Sequence, residues 1–201
     1  MTLPKHVHRE LVADAIAASG HPLAQPLPKY RWRYLGDPCL SAPTVPVASL
    51  SEIPAGLIQR MQELMNRGWT KGVGIAAPQV GATQRICIIT LGDGLNDRTP
   101  LVLINPKIVS HSEKSRSLVE ACLSVPGFET TIARYDWVEI VYQNERLDHR
   151  SLKVGGFDAQ IVQHELGHLD GKCIVDFVPR QQRRAAERMV EKFLAKRRRA
   201  L

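Results

Sequence analysis

Gln163-His164-Glu165-Leu166-Gly167-His168 carries two histidines four residues apart, with a glutamate directly after the first. On a helix such residues share a face, so both imidazoles can reach one metal ion. Glu165 then stands within reach of the water that such an ion activates, as a base. The spacing alone recurs by chance in unrelated proteins. Its neighbours sharpen the reading. Ile161, Val162, Leu166 and Leu169 interleave with the histidines, which marks a buried helix rather than a solvated one. Buried His, Glu and His side chains need partners, and a metal ion supplies one. The helix is expected over roughly Asp158 to Leu169, led in by Gly155-Gly156 and ended by Gly171.

Downstream, about Pro179 to Arg199 reads as an amphipathic helix. Ala185, Ala186, Met189, Val190, Phe193 and Leu194 form its apolar stripe, and arginines and lysines up to Arg197, Arg198 and Arg199 cover the rest. A solvated basic face on a docked helix accounts for this pattern. Contact with RNA phosphate or an anionic surface is the sharper alternative. Upstream, residues 130–143 alternate as strands with Val138, Ile140 and Tyr142 on one face, and Leu152 to Val154 is a short strand. Leu118 to Val125 is strand-like and holds Glu120-Ala121-Cys122-Leu123-Ser124. Residues 110–117 read as a hairpin-like connection. Leu101 to Val109 is a strand interrupted by Asn105-Pro106, which suggests an edge or a bulge. Ile86 to Ile89 is a buried strand with Cys87 as a small core residue. In Gly72-Val73-Gly74-Ile75-Ala76-Ala77-Pro78-Gln79-Val80-Gly81, small residues let another backbone approach, and Gln79 can be held rigidly with its amide aimed at a reacting group. Ser51 is expected to cap a helix running to about Arg67, with Met61 and Met65 in the core. Residues before Tyr30 read as an arm: a short helix near Leu11 to Ala17, then an extended stretch from Pro22 to Pro28.

The chain has 201 residues, 44% hydrophobic and 23% charged, which fits one soluble domain with a sizeable core. No apolar run is long enough to span a bilayer, and no secretory signal opens the chain. Residues 1–30 include Glu10 and Asp14 and few arginines, a poor match to an organelle presequence. Net charge is +7, much of it near the C-terminus. Cys39, Cys87, Cys122 and Cys173 are widely scattered, so a disulfide framework is not expected and a reducing compartment is.

Catalytic sites of the zinc type take three protein ligands and leave a position for water. His164 and His168 supply two. Glu187 or Glu191 could supply the third, as in proteases that draw it from a later helix, although both sit among arginines. No histidine follows His168. Cys122 is the other candidate, since a thiolate is a strong ligand for a borderline ion. Spacing does not choose between them.

Taken together, Gly72–Gln79, Glu120–Ser124 and Gln163–His168 resemble the three motifs of the peptide deformylases, in order and at similar spacing, over residues 36 to about 178. The resemblance implies an α+β metallohydrolase, mostly antiparallel sheets around a central metal-binding helix, followed by the basic C-terminal helix. Residues 1–35 would then be an arm, 36–178 the core and 179–201 a helix packed on it, in one domain. It implies removal of the formyl group from formyl-Met nascent peptides. Cys122, His164 and His168 would hold the metal: Fe²⁺ in the native state, with Zn²⁺, Ni²⁺ or Co²⁺ able to substitute. Glu165 would move protons, Gln79 and the Leu123 N–H would stabilise the oxyanion, and Val73 and Gly74 would pair with substrate backbone.

Two positions depart from that pattern. Ala121 stands where glycine is usual, which would strain a left-handed or crowded backbone. Gly167 stands where aspartate is usual, so Arg134, the expected partner of that aspartate, is expected to lose it. Ligands, base and Gln79 are intact, so the chain reads as active. The arm suggests an organelle, the mitochondrial matrix foremost, with the bacterial cytoplasm as alternative. The C-terminal helix suggests ribosome contact; membrane insertion and specific DNA binding are not expected. A zincin-like peptidase and a weakly active ribosome-binding homologue are the competing readings.

Overall fold

The computed structural model describes residues 30–67, 72–92 and 100–199. The helix and extended stretch expected before residue 30 lie outside the described residues. The elements are α1 (Leu57–Arg67), β1 (Gly74–Ala76), β2 (Ile86–Thr90), β3 (Pro100–His111), β4 (Ser115–Ala121), β5 (Glu129–Tyr135), β6 (Trp137–Gln143), β7 (His149–Gly155), α2 (Gly156–Leu169) and α3 (Arg180–Arg198). Five strands form an antiparallel sheet in the order β1-β2-β3-β6-β7, and β4 pairs with β5 in a second sheet. The fold is α+β with antiparallel sheets and a C-terminal helix. No described helix is long and apolar enough to cross a membrane.

Strand β2 shows why the large sheet is apolar on both sides. Side chains alternate along a strand, so Ile86 and Ile88 point one way and Cys87 and Ile89 the other. The first pair packs with Leu57, Met61 and Met65 of α1. The second packs with Ala159, Val162, Leu166 and Leu169 of α2. Covered on both faces, the strand becomes the continuous apolar run Ile86-Cys87-Ile88-Ile89. A third cluster joins Cys122, Ile132, Cys173 and Ile174 to Ala186 and Val190 of α3. Met189, assigned above to the apolar stripe of that helix, is exposed.

Two local expectations are corrected, and one is narrowed to one of its two alternatives. The helix expected from Ser51 begins at Leu57 instead. Pro54 lacks an N–H and Gly56 turns the chain at φ +74°, so Leu50–Glu52 makes only a single 3₁₀ turn before it. Asn105-Pro106 does not mark an edge, because β3 lies between β2 and β6; it marks a bulge, with a register shift between Ile104 and Lys107. Asn105 adopts φ +53° there, and its amide bridges Val47 and Gln143. Residues 110–117 do not join a hairpin, since β3 pairs with β6 and β4 with β5, so the chain changes sheets. Ser112 holds that crossing by donating to Lys114 O at 2.6 Å and accepting from Asp136 N at 2.8 Å.

Helix α2 is fixed against both sheets. Gln160 Nε2 donates to Val119 O of β4 at 3.0 Å. The Gln163 amide accepts from Tyr135 N at 2.9 Å and donates to Tyr135 O at 3.0 Å. At its far end Thr44 binds Leu169 O, and Arg85 pairs with Asp170 at 2.8 Å. Little freedom is left to a helix held at three points.

Candidate active site

The end of β4, the edge strand β1 and the pocket-facing side of α2 enclose a cavity of about 280 Å³. Val73, Gly74, Gln79, Cys122, Leu123, His164 and Glu165 line it. His168 sits one turn deeper on α2, almost wholly buried, its ring 5.1 Å from that of His164. Seven of the eight residues proposed from sequence therefore share one cavity, and the eighth lies behind it. Glu187 is exposed on α3 and pairs with Arg183, while Glu191 is also exposed. Neither is a third ligand.

Glu120 organises the ligand side. Its carboxylate takes a two-pronged pair from Arg134, 2.7 Å from Nε and 2.9 Å from Nη2. It also meets His164 Nδ1 at 2.9 Å. Burial alone would raise this carboxyl; the Arg134 and His164 hydrogen bonds and charges override it and hold Glu120 down to about 2. An ionised Glu120 accepts from Nδ1–H, so Nε2 is the His164 nitrogen left for an ion. Burial lowers the His164 pKa, but the Glu120 bond and the carboxylates around it raise it overall. His168 is pushed well below the ordinary histidine range by burial, then by the charges of His164 and Arg134, so its imidazole is neutral. A neutral imidazole is the ligand form.

The residues fit a divalent ion. Cys122 Sγ lies 3.2 Å from His168 Nε2, both buried. Cys122, His168 and Cys173 present donor atoms all within 4.8 Å of one another, a group that does not include His164. Among the described residues, His168 Nδ1 and Glu165 Oε2 are buried without a hydrogen-bond partner. Polar atoms left so in an apolar site are costly unless an ion, water or substrate engages them.

Glu165 is buried, and burial pushes its carboxyl up to about 7, against the charge of His164 and with that of Glu120. Gln79 lies in a 3₁₀ turn, Ala77–Val80, that Gly81 ends at φ +83°. Its Oε1 accepts from Ala76 N at 2.8 Å, which turns Nε2 toward Ser124 Oγ at 3.2 Å and Cys122 Sγ at 3.8 Å. Gly74 leaves room for the base: a Cβ there would overlap the Glu165 carboxylate. Strand β1 has β2 as its partner and is the sheet edge that borders the cavity.

The two departures are harmless in backbone terms. Ala121 ends β4 opposite Glu129 and is not among the residues with positive φ. A Cβ at Gly167 would meet only Lys172 O at 3.9 Å, so nothing there demands glycine. With no carboxylate at position 167, Arg134 instead holds Glu120 and lies 4.7 Å over the Phe177 ring.

Residues 30–184 match the polypeptide deformylase family. The chain belongs to that family. A peptide deformylase of Endomicrobium trichonymphae is 34% identical over 164 residues, 82% of this chain and 95% of the relative. A peptide deformylase structure from Legionella pneumophila is similar at a TM-score of 0.74 and 32% identity, covering 85% of this chain and 97% of that one. The Ehrlichia chaffeensis peptide deformylase in complex with actinonin gives 0.73 and 28%, covering 83% and 96%. Peptide deformylases are metal-dependent hydrolases, and this chain is an enzyme of that kind.

Sequence reasoning gave Glu120 only as part of a motif and treated Cys173 as a scattered thiol. A buried acid on a strand, two residues before a candidate ligand, was the available signal for Glu120. For Cys173 there was none, because only the turn after α2 brings it back to Cys122, at 4.0 Å.

Proposed function

We propose that the chain removes the formyl group from formyl-methionyl peptides, with Cys122, His164 and His168 holding one divalent ion and Glu165 carrying the protons. The observation that carries this reading is the Glu165 carboxyl, buried, unpartnered at Oε2 and facing the same cavity as Cys122 and His164. A divalent ion held there, Fe²⁺ by family resemblance, would supply Lewis acidity toward the formyl carbonyl and water. The rest is done by the chain's own groups. Substrate backbone adds to the free edge of β1 at Val73 and Gly74. Gln79 Nε2 and the Leu123 N–H donate to the oxygen that gains charge in the transition state. Glu165 takes a proton from the attacking water and returns it to the departing amine, which its position near neutrality suits. Arg134 and Glu120 keep His164 in one tautomer throughout.

The test is formate release from a formyl-Met tripeptide by metal-loaded protein beside its Glu165→Gln variant. Release should fall by about 10²–10⁴ in the variant while metal content is unchanged. Equal release by both would remove Glu165 from the mechanism.

A further inference from the structure

Another face of α2 borders a second cavity, of about 350 Å³, that shares no lining residue with the catalytic one. Gly167 and Asp170 of α2 line it, together with Arg85, Lys107, Arg134 and Lys172. Four cations therefore face one carboxylate, and Asp170 is already engaged by Arg85 at 2.8 Å. Arg134 is buried, and Glu120 takes its Nε and Nη2, so Nη1 remains for a second acceptor. The Phe177 ring, 4.7 Å from the guanidinium carbon, covers one flat face of the group and leaves its edge to that acceptor. Among the described residues, neither Lys107 nor Lys172 is in an ion pair. Position 167 adds no side chain, and a Cβ there would meet only Lys172 O at 3.9 Å, so the cavity reaches the helix backbone.

We propose that this cavity binds a phosphate group, with Arg134 Nη1, Lys107 and Lys172 as its donors. A phosphate monoester carries a charge of about −1.5 to −2 and three strong acceptor oxygens that point in different directions. A guanidinium edge, held still by its own ion pair, and two mobile ammonium groups answer those oxygens from separate sides. Entry of an anion also relieves the repulsion among like charges gathered around one space. The cavity lies outside the catalytic one, so the proposal stands apart from the deformylase reading and is tested by binding rather than by turnover.

Isothermal titration calorimetry of inorganic phosphate into Zn²⁺-loaded full-length protein is the test, with chloride at matched ionic strength as the control for screening. Saturable binding of phosphate and none of chloride are expected. Lys107→Gln combined with Lys172→Gln changes two exposed side chains and should weaken phosphate binding by roughly tenfold or more, because hydrogen bonds between charged groups are lost. Gly167→Asp puts a carboxylate into the cavity and should abolish binding. Adenosine 5′-monophosphate separates the sources of the group: tighter binding than inorganic phosphate assigns the site to a phosphate ester, and equal or weaker binding assigns it to free phosphate. No saturable binding of either in the millimolar range overturns the proposal. So does binding that both sets of substitutions leave unchanged, which is the behaviour of phosphate bound to the catalytic ion.

Discussion

Replacing Glu120 with alanine removes, at once, the acceptor of the buried Arg134 guanidinium and of the His164 ring N–H. The Arg134 side chain is 9% exposed and that of Glu120 2%. The pair is two-pronged, at 2.7 and 2.9 Å, so the remaining guanidinium would keep its charge and lose both partners. Breaking a buried pair from one side typically costs about 3–5 kcal/mol, because an uncompensated charge stays inside. For a domain of this size each kcal/mol is worth roughly 2–4 °C, so the apparent melting temperature should fall by roughly 6–20 °C. Adding Arg134→Met removes the stranded charge and should restore most of that loss. The metal site behaves differently. His164 Nδ1 loses its acceptor in both variants, and loss of such a support weakens metal binding by about 10–100-fold. Urea unfolding with a chelator present measures the first effect free of metal linkage, and Zn²⁺ competition titration measures the second. Stability should return in the double variant and metal affinity should not. A single variant within about 1 kcal/mol of the parent would mean the pair behaves as a solvated one. A double variant no more stable than the single would locate the loss elsewhere.

Other substitutions probe other parts of the geometry. Gly74→Ala drives a methyl into the Glu165 carboxylate, so kcat/KM for formate release should fall by about 10²-fold while the melting temperature barely moves; unchanged kinetics would show that the base does not work from this position. Gln79→Ala should cost about 10²–10³ in rate, and roughly 1–3 kcal/mol in urea unfolding, because the Ala76 N–H loses its partner. A loss of stability without a loss of rate would make Gln79 purely structural. Gly167→Ala should stabilise α2 by up to about 1 kcal/mol, since the nearest atom to the new methyl is 3.9 Å away; destabilisation would mean that the helix needs glycine there.

The catalytic stretch was legible because helix periodicity alone places His164 and His168 on one face, and the interleaved Ile161, Val162 and Leu166 declare burial. The continuous run Ile86–Ile89 likewise announces a strand covered on both faces, and α1 and α2 cover it. What the sequence hid depends on contacts between distant segments. Nothing local in Glu120 says that its partners are Arg134 and His164, and the distance from Cys122 to Cys173 is set by a turn at Gly171. The change of sheet between β3 and β4 was hidden for the same reason. Residues 110–117 have hairpin composition, and only the partners of the flanking strands show that they cross between sheets. Ala121 and Gly167 looked like defects because their backbone angles and surroundings cannot be read from residue type. In the fold one is an ordinary strand end and the other has room for a Cβ, with Lys172 O 3.9 Å from it.

The most direct test of the central claim is mass spectrometry of a formyl-Met peptide after incubation with anaerobically metal-loaded protein. The account predicts a single product, the same peptide lacking only its formyl group, with an equimolar yield of formate. Fragments from an internal peptide bond, or an unchanged peptide despite full metal loading, would contradict it.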